Sequence, residues 1–176
     1  QRGRRQGEDV AHRLVTEALA VLLHARNLEV AQLAAAPTKL TEGICQRNGL
    51  VPIVEPEIVP NGKHGIEACA DATEKVLVAQ FAALKQHGCY LEGAVLKPNM
   101  VKNGLSGPKA TPEQIAAATI TVLKRTVPVA MPGIFFLSGE AALDEDNEEE
   151  ATINLSTMNK LFPNTPWSVS YSYGKA

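Results

Sequence analysis

The chain repeats one rhythm: a short apolar run followed by an amphipathic helical stretch, three times over, closing on a fourth apolar run. Residues 50–54 follow an Asn48-Gly49 turn and read as a buried strand. Residues 66–87 form a helical stretch with Val76, Leu77, Phe81 and Leu84 apolar. Residues 89–96 are the second strand, stopped by Pro98. The next helix has an explicit start, with Thr111 as N-cap, Pro112 in the first position and Gln114 completing a capping box; it runs to about Arg125. Residues 133–137 are the third strand. Glu148, Glu149 and Glu150 suit the positive end of a helix that runs to Leu161, and 167–171 are the fourth strand. Short apolar strands alternating with amphipathic helices predict βαβ units and a parallel sheet. The strand-to-strand repeat of roughly forty residues suits a barrel with elaborated loops. A closed barrel of this kind takes eight strands, so four predict half of one.

Charge and cysteine content narrow the function classes. A net charge of −2 provides no global basic field for nucleic acid or an anionic membrane, so a phosphorylated metabolite has to be held by a local positive site. Cys45, Cys69 and Cys89 are odd in number, contain no CxxC and have no histidine cluster beside them. They read as reduced thiols of a cytoplasmic protein, with no disulfide framework and no metal site. No apolar run approaches the ~20 residues of a membrane span. The first residue is Gln1, so the chain reads as a fragment or a processed product; Glu8 and Asp9 weaken the targeting look of Arg2, Arg4 and Arg5. Residues 9–36 are helical in style and end at Pro37, without a catalytic signature.

In a parallel α/β sheet, function gathers at the carboxyl ends of the strands. The first strand ends in Glu55-Pro56-Glu57, the second in Lys97-Pro98-Asn99, the third in Ser138-Gly139 and the fourth in Ser172-Tyr173-Gly174-Lys175. Side chains alternate along a strand, so if the strand runs through Pro56, Glu55 and Glu57 share a face with Val51 and Ile53. Lys97 follows a weakly polar stretch from Gly93 to Leu96. An amine drawn into such a site meets desolvation, which disfavours the ammonium form and frees a nucleophile. Ser138-Gly139 and Ser172-Tyr173-Gly174 offer backbone N–H groups to a phosphate, with Lys175 as a point charge. Each signal alone has a plainer reading: a solvated loop lysine, surface glutamates, Ser-Gly turns.

Together these stretches resemble one family. Cys45-Gln46-Arg47-Asn48-Gly49-Leu50-Val51-Pro52-Ile53-Val54-Glu55-Pro56-Glu57-Ile58 looks like the fifth barrel strand of class I fructose-bisphosphate aldolases. Leu91-Glu92-Gly93-Ala94-Val95-Leu96-Lys97-Pro98-Asn99-Met100-Val101 looks like the sixth. Phe136-Leu137-Ser138-Gly139 resembles the seventh-strand phosphate loop, and Ser170-Tyr171-Ser172-Tyr173-Gly174 the eighth. The resemblance spans about 44–176 and leaves 1–43 as a helical segment unlike the family.

It implies a TIM (β/α)8 fold of which this chain carries about strands five to eight. It also implies reversible cleavage of fructose bisphosphate into dihydroxyacetone phosphate and glyceraldehyde 3-phosphate, in glycolysis and gluconeogenesis. Lys97 is the implied Schiff-base lysine, Glu55 the proton-transfer acid/base and Glu57 the residue that orients and charge-balances the lysine. Ser138, Gly139, Gly174 and Lys175 are the implied phosphate contacts. No cofactor and no metal is expected, because the imine serves as the electron sink. The implied assembly is a cytoplasmic homotetramer acting on a phosphorylated sugar, with no nucleic acid or membrane partner. Two departures bear on the phosphate end. Glu140 stands where the family has a second glycine, bringing a like charge. Lys175 replaces the family's arginine and loses its bidentate fork. They sustain a second expectation, a divergent, inactive relative acting as a binding or assembly module. A half barrel on its own is further expected to self-associate and to turn over negligibly, since its edge strands lack ladder partners and its inward faces, with Val51, Ile53, Val95 and Phe136, lack an opposite wall.

Overall fold

The computed structural model describes residues 42–138 and 148–173. The helical segment expected at 9–36, together with Gly139, Glu140, Gly174 and Lys175, lies outside the described residues.

The expected alternation is present. Strands β1 (Ile53–Val54), β2 (Val95–Leu96), β3 (Gly133–Phe136) and β4 (Ser168–Tyr171) form one sheet in the order β1-β2-β3-β4. Every neighbouring pair is parallel. Between them run helices α1 (Ile66–Gln86), α2 (Pro112–Thr126) and α3 (Glu148–Leu161), with α2 packed against both α1 and α3. Sequential parallel strands joined by helices are the pattern of a TIM-type barrel, here seen over four strands.

The helices start and stop where their residues dictate. Thr111 Oγ1 accepts from Gln114 N at 3.3 Å while Thr111 N donates to Gln114 Oε1 at 2.9 Å, closing the expected capping box ahead of Pro112. Lys85 lies in the last turn of α1, where a cation meets the negative helix end. The chain leaves α1 through Gly88 at φ +65°, a conformation that a Cβ would strain.

The first two strands are shorter than the apolar runs. Leu50 and Val51 are exposed and precede the ladder, and Pro52 and Pro56, on either side of β1, have no N–H to donate. Residues Leu91–Gly93 make a 3-10 turn instead of strand. The turn folds Tyr90 over Gly93, where a Cβ would lie 2.8 Å from the ring, so any larger residue has to push the ring aside. Gln46 fastens this turn to the helical residues 42–47: its amide donates to Tyr90 O at 2.6 Å and accepts from Tyr90 N at 2.9 Å.

One face of the sheet makes the core. Val54, Leu96, Ile134 and Phe136 are fully buried in a cluster with Leu77, Phe81 and Leu84 of α1, Ile115, Ile120 and Leu123 of α2, and Leu155 and Met158 of α3. The alternate positions face the other way. Ile53 is 51% exposed and Val51 63%, as expected for the inner wall of an incomplete barrel. Phe136 is not among these inward residues, contrary to the face expected for it: it is 0% exposed in the core, and its neighbour Phe135 alternates to the open side.

This difference is measurable. Phe136→Ala should destabilise the chain by about 3–5 kcal/mol, the range for emptying a buried aromatic site, and Phe135→Ala by clearly less. Urea midpoints of the two variants check the assignment of faces.

Candidate functional site at the carboxyl ends of the strands

Register brings the chemical residues together. Ile53 pairs with Val95 and Val54 with Leu96, and the ladder continues as Lys97 N donates to Val54 O at 2.7 Å. The residues one step beyond, Glu55 and Lys97, therefore emerge side by side on the face that carries Ile53 and Val95. Lys97 Nζ lies 3.4 Å from Glu55 Oε2, with the lysine side chain 19% exposed and the glutamate 40%. Glu57 follows two residues on, past the end of β1. Burial pushes its carboxyl above the ordinary 4.5, the nearby Glu55 charge pushes the same way, and Lys97 opposes them. A primary amine beside one carboxylate, with a second carboxyl close by, can attack a carbonyl and shuttle protons.

The segments bearing these groups are pinned to each other. Asn99 Nδ2 donates to Ile58 O at 3.2 Å and Asn99 Oδ1 accepts from Ile58 N at 3.0 Å, a buried two-point clasp between the chain beyond Glu57 and the chain beyond Lys97. Further along, Gly104 N bonds His64 O at 2.9 Å, Leu105 N bonds Pro60 O at 3.0 Å and Ser106 N bonds Gly62 O at 2.9 Å. A Cβ at Gly104 would collide with the Gly62 carbonyl, so the two loops close only over glycine. Val101 N donates to buried Thr119 Oγ1 at 3.0 Å, tying the second loop to α2.

The other expected residues are placed less completely. Ser138 is half-buried just past β3 and lines one cavity with Asn154 of α3 and Met100 of the second loop. No hydrogen bond among the described residues joins it to Lys97. Tyr173 contacts Tyr171 at 4.9 Å between ring centroids, and its hydroxyl shares a 3.3 Å hydrogen bond with Thr152 of α3. The described cysteines are free thiols, burial chiefly raising that of Cys89. No helix among the described residues is long and apolar enough to cross a membrane, and no group of three or more His, Cys, Asp or Glu residues there could hold a metal.

Two side chains at this end carry no local sequence signal of what they do. Asn99 lies in the Lys97-Pro98-Asn99 strand end, but its clasp depends on a contact 41 residues away. Asn154 looks like any polar residue in a helix, yet it is 1% exposed.

Known proteins match most of this chain. The family model of class I fructose-bisphosphate aldolase matches residues 26–176, beginning upstream of the boundary at 44 that the motifs marked. The muscle-type aldolase of Lethenteron camtschaticum is 55% identical over 134 residues, covering 76% of this chain and 36% of that protein. A cytosolic aldolase of Arabidopsis thaliana is 55% identical over 133 residues, again 76% and 36%. The structure of the Plasmodium falciparum aldolase, solved with TRAP and a small-molecule inhibitor, superposes with a TM-score of 0.79 at 45% identity, covering 86% of this chain and 42% of that one. The chain thus spans little more than a third of the length of the curated relatives it matches.

The raised carboxyls set a pH dependence. A folded-state pKa above 4.5 means that the native chain holds the proton more tightly than the unfolded one, so stability falls as pH rises from 4.5 through the folded value. Glu42, buried and pushed up to about 7, acts in the same sense. In a Glu42→Gln background, adding Glu57→Gln should flatten what remains of the decline; urea midpoints taken from pH 4.5 to neutrality measure it.

Proposed function

The chain belongs to the class I fructose-bisphosphate aldolase family, and from that premise we propose that it carries the Schiff-base half of an aldolase active site. The observation that carries this reading is the amine of Lys97 standing 3.4 Å from the Glu55 carboxylate on the open face of a parallel sheet, at the carboxyl ends of its strands. Lys97, relieved of its proton, attacks the carbonyl of a ketose phosphate. Loss of water leaves a protonated imine joined to Nζ. As the hydroxyl one carbon further along gives up its proton, that cation draws in the electron pair of the carbon–carbon bond one carbon removed from the imine carbon, which breaks to release an aldehyde and leave an enamine. Protonation of the enamine carbon and hydrolysis return the amine and free the second product. Glu55 moves protons at the hydroxyl and amine. Glu57, whose carboxyl burial and the Glu55 charge raise above its ordinary value, orients and charge-balances the lysine.

Substrate phosphate falls to the ends of β3 and β4, where Ser138 with Gly139, Gly174 and Lys175 supplies N–H groups and a positive charge. The substrate is then fructose bisphosphate, cleaved to dihydroxyacetone phosphate and glyceraldehyde 3-phosphate in glycolysis and gluconeogenesis. The assembly is a cytoplasmic homotetramer, and the imine makes a metal unnecessary.

A second reading is supported by the exposed inner face, where Val51 and Ile53 stand open to solvent. In it the chain binds or assembles without turning over substrate.

Borohydride reduction in the presence of dihydroxyacetone phosphate separates the two. The proposal expects a stable adduct on Lys97, located by mass spectrometry, both in this chain and in a version extended with the family's upstream strands. An adduct missing from Lys97 in the extended protein would dismiss the catalytic reading. Glu55→Gln in that protein should lower turnover about 10²–10⁴-fold, the usual span for removing a general acid/base, while the adduct still forms slowly.

Lys175→Arg should lower the Michaelis constant for fructose bisphosphate, because a planar fork makes two charge-assisted bonds where an ammonium offers a point charge. An unchanged constant removes Lys175 from the phosphate site.

A further inference from the structure

Behind the carboxyl-end loops lies a cavity of about 40 Å³. Pro60 contributes to its wall from the loop after β1, Asn99 and Lys102 from the loop after β2, Ser138 from the end of β3, and Ala151 and Asn154 from α3. Asn154 is 1% exposed, and neither its side-chain nitrogen nor its oxygen has a hydrogen-bond partner among the described residues. Two polar neighbours are already engaged: Asn99 is committed to Ile58 through both its side-chain atoms, and Lys102 Nζ pairs with Glu150 at 2.8 Å. Buried amides are ordinarily satisfied, by protein or by ordered water. The volume exceeds the roughly 10–15 Å³ that one water requires. An amide provides two donors and an acceptor oxygen, enough to anchor bridging water on more than one side.

We infer that Asn154 is a positioning residue that acts through bound water, bridging α3 to the loops bearing Asn99 and Ser138 and so setting the wall against which a substrate phosphate is held. The clause about phosphate rests on the Schiff-base reading above; the water bridge does not. Through Asn99 the same network reaches the clasp on Ile58, next to Glu57. The arrangement explains why a polar side chain occupies a helix position that is otherwise core. Its helical neighbours Ala151, Leu155 and Met158 are buried apolar residues, and an apolar residue of Asn154's size would complete that surface.

The sign of the effect of Asn154→Leu tests the inference, since leucine is of similar size and cannot hold water. Hydrogen exchange of the amides at 99–103 and 137–138 should quicken about tenfold, the size expected for losing a buried hydrogen-bonded link, and the Tm should fall. Asn154→Ser keeps a hydroxyl and makes room for another water, so it should retain most of the protection. If Asn154→Leu unfolds the chain, the serine variant and the solvent density around Asn154 in a crystal of the parent chain decide. Protection lost in the serine variant, or no water on Asn154, overturns the inference. So does a leucine variant with a raised Tm and unchanged exchange, the behaviour of an orphaned amide with no task.

In borohydride trapping by the extended protein, Asn154→Leu should raise the half-saturating concentration of dihydroxyacetone phosphate about tenfold while the limiting rate changes by less than about twofold. An unmoved half-saturation removes the phosphate clause. If the parent forms no adduct on Lys97, the Schiff-base reading fails, and hydrogen exchange still judges the water bridge.

Discussion

In a parallel ladder the register decides which side chains stand beside one another, and here Ile53 pairs with Val95 while Val54 pairs with Leu96. Side-chain direction alternates with a period of two, so this pairing sends Val54 and Leu96 into the core and aims Glu55 and Lys97 together at the opposite face. A slip of one residue would bury the glutamate and separate the pair. β1 and β2 each contribute only two residues to the ladder, too few to hold the register alone. The Asn99–Ile58 clasp and the bonds between the loops at 60–64 and 104–106 extend the joint beyond the strands, where the prolines interrupt it.

The two faces of the sheet have opposite tasks. One is sealed by three helices through aliphatic and aromatic contacts, and it carries the hydrophobic stabilisation of the chain. The other presents Ile53, partly exposed Val95 and Phe135, and the charged pair. In a barrel this second face is an interior, and its charge pair would work in a smaller, drier space where electrostatic interactions strengthen. The proximity of Glu55 to Lys97 therefore exists before any opposite wall does. What a wall would add is desolvation, and with it a stronger influence of Glu57 and Glu55 on the amine.

Helices were the most legible part of the sequence. A capping box is a local code, written within four residues at Thr111–Gln114, and α2 begins there. The glutamates at 148–150 lie in the first turn of α3, where acidic side chains meet the positive end of the helix. Strand limits were less legible because apolar runs and ladders obey different rules. Leu50 and Val51 have strand-like side chains but precede the ladder, and Leu91–Gly93 turns under Tyr90. The faces of Phe135 and Phe136 could not be told apart by composition, as both are apolar and adjacent.

What the sequence determined by itself was the alternation of elements, the strand ends on which Lys97, Glu55, Glu57 and Ser138 fall, and a family resemblance that relatives 55% identical bear out. These are local properties, encoded by periodicity, capping and contiguous motifs. Only the tertiary structure decided that Lys97 meets Glu55 at 3.4 Å, that Asn99 clasps the backbone of Ile58, that Phe136 and not Phe135 lies in the core, and that Asn154 is buried with its amide unpaired. Each depends on residues brought together from separate elements. Their proximity is set by ladder register and helix packing, which a linear sequence encodes only through the whole fold.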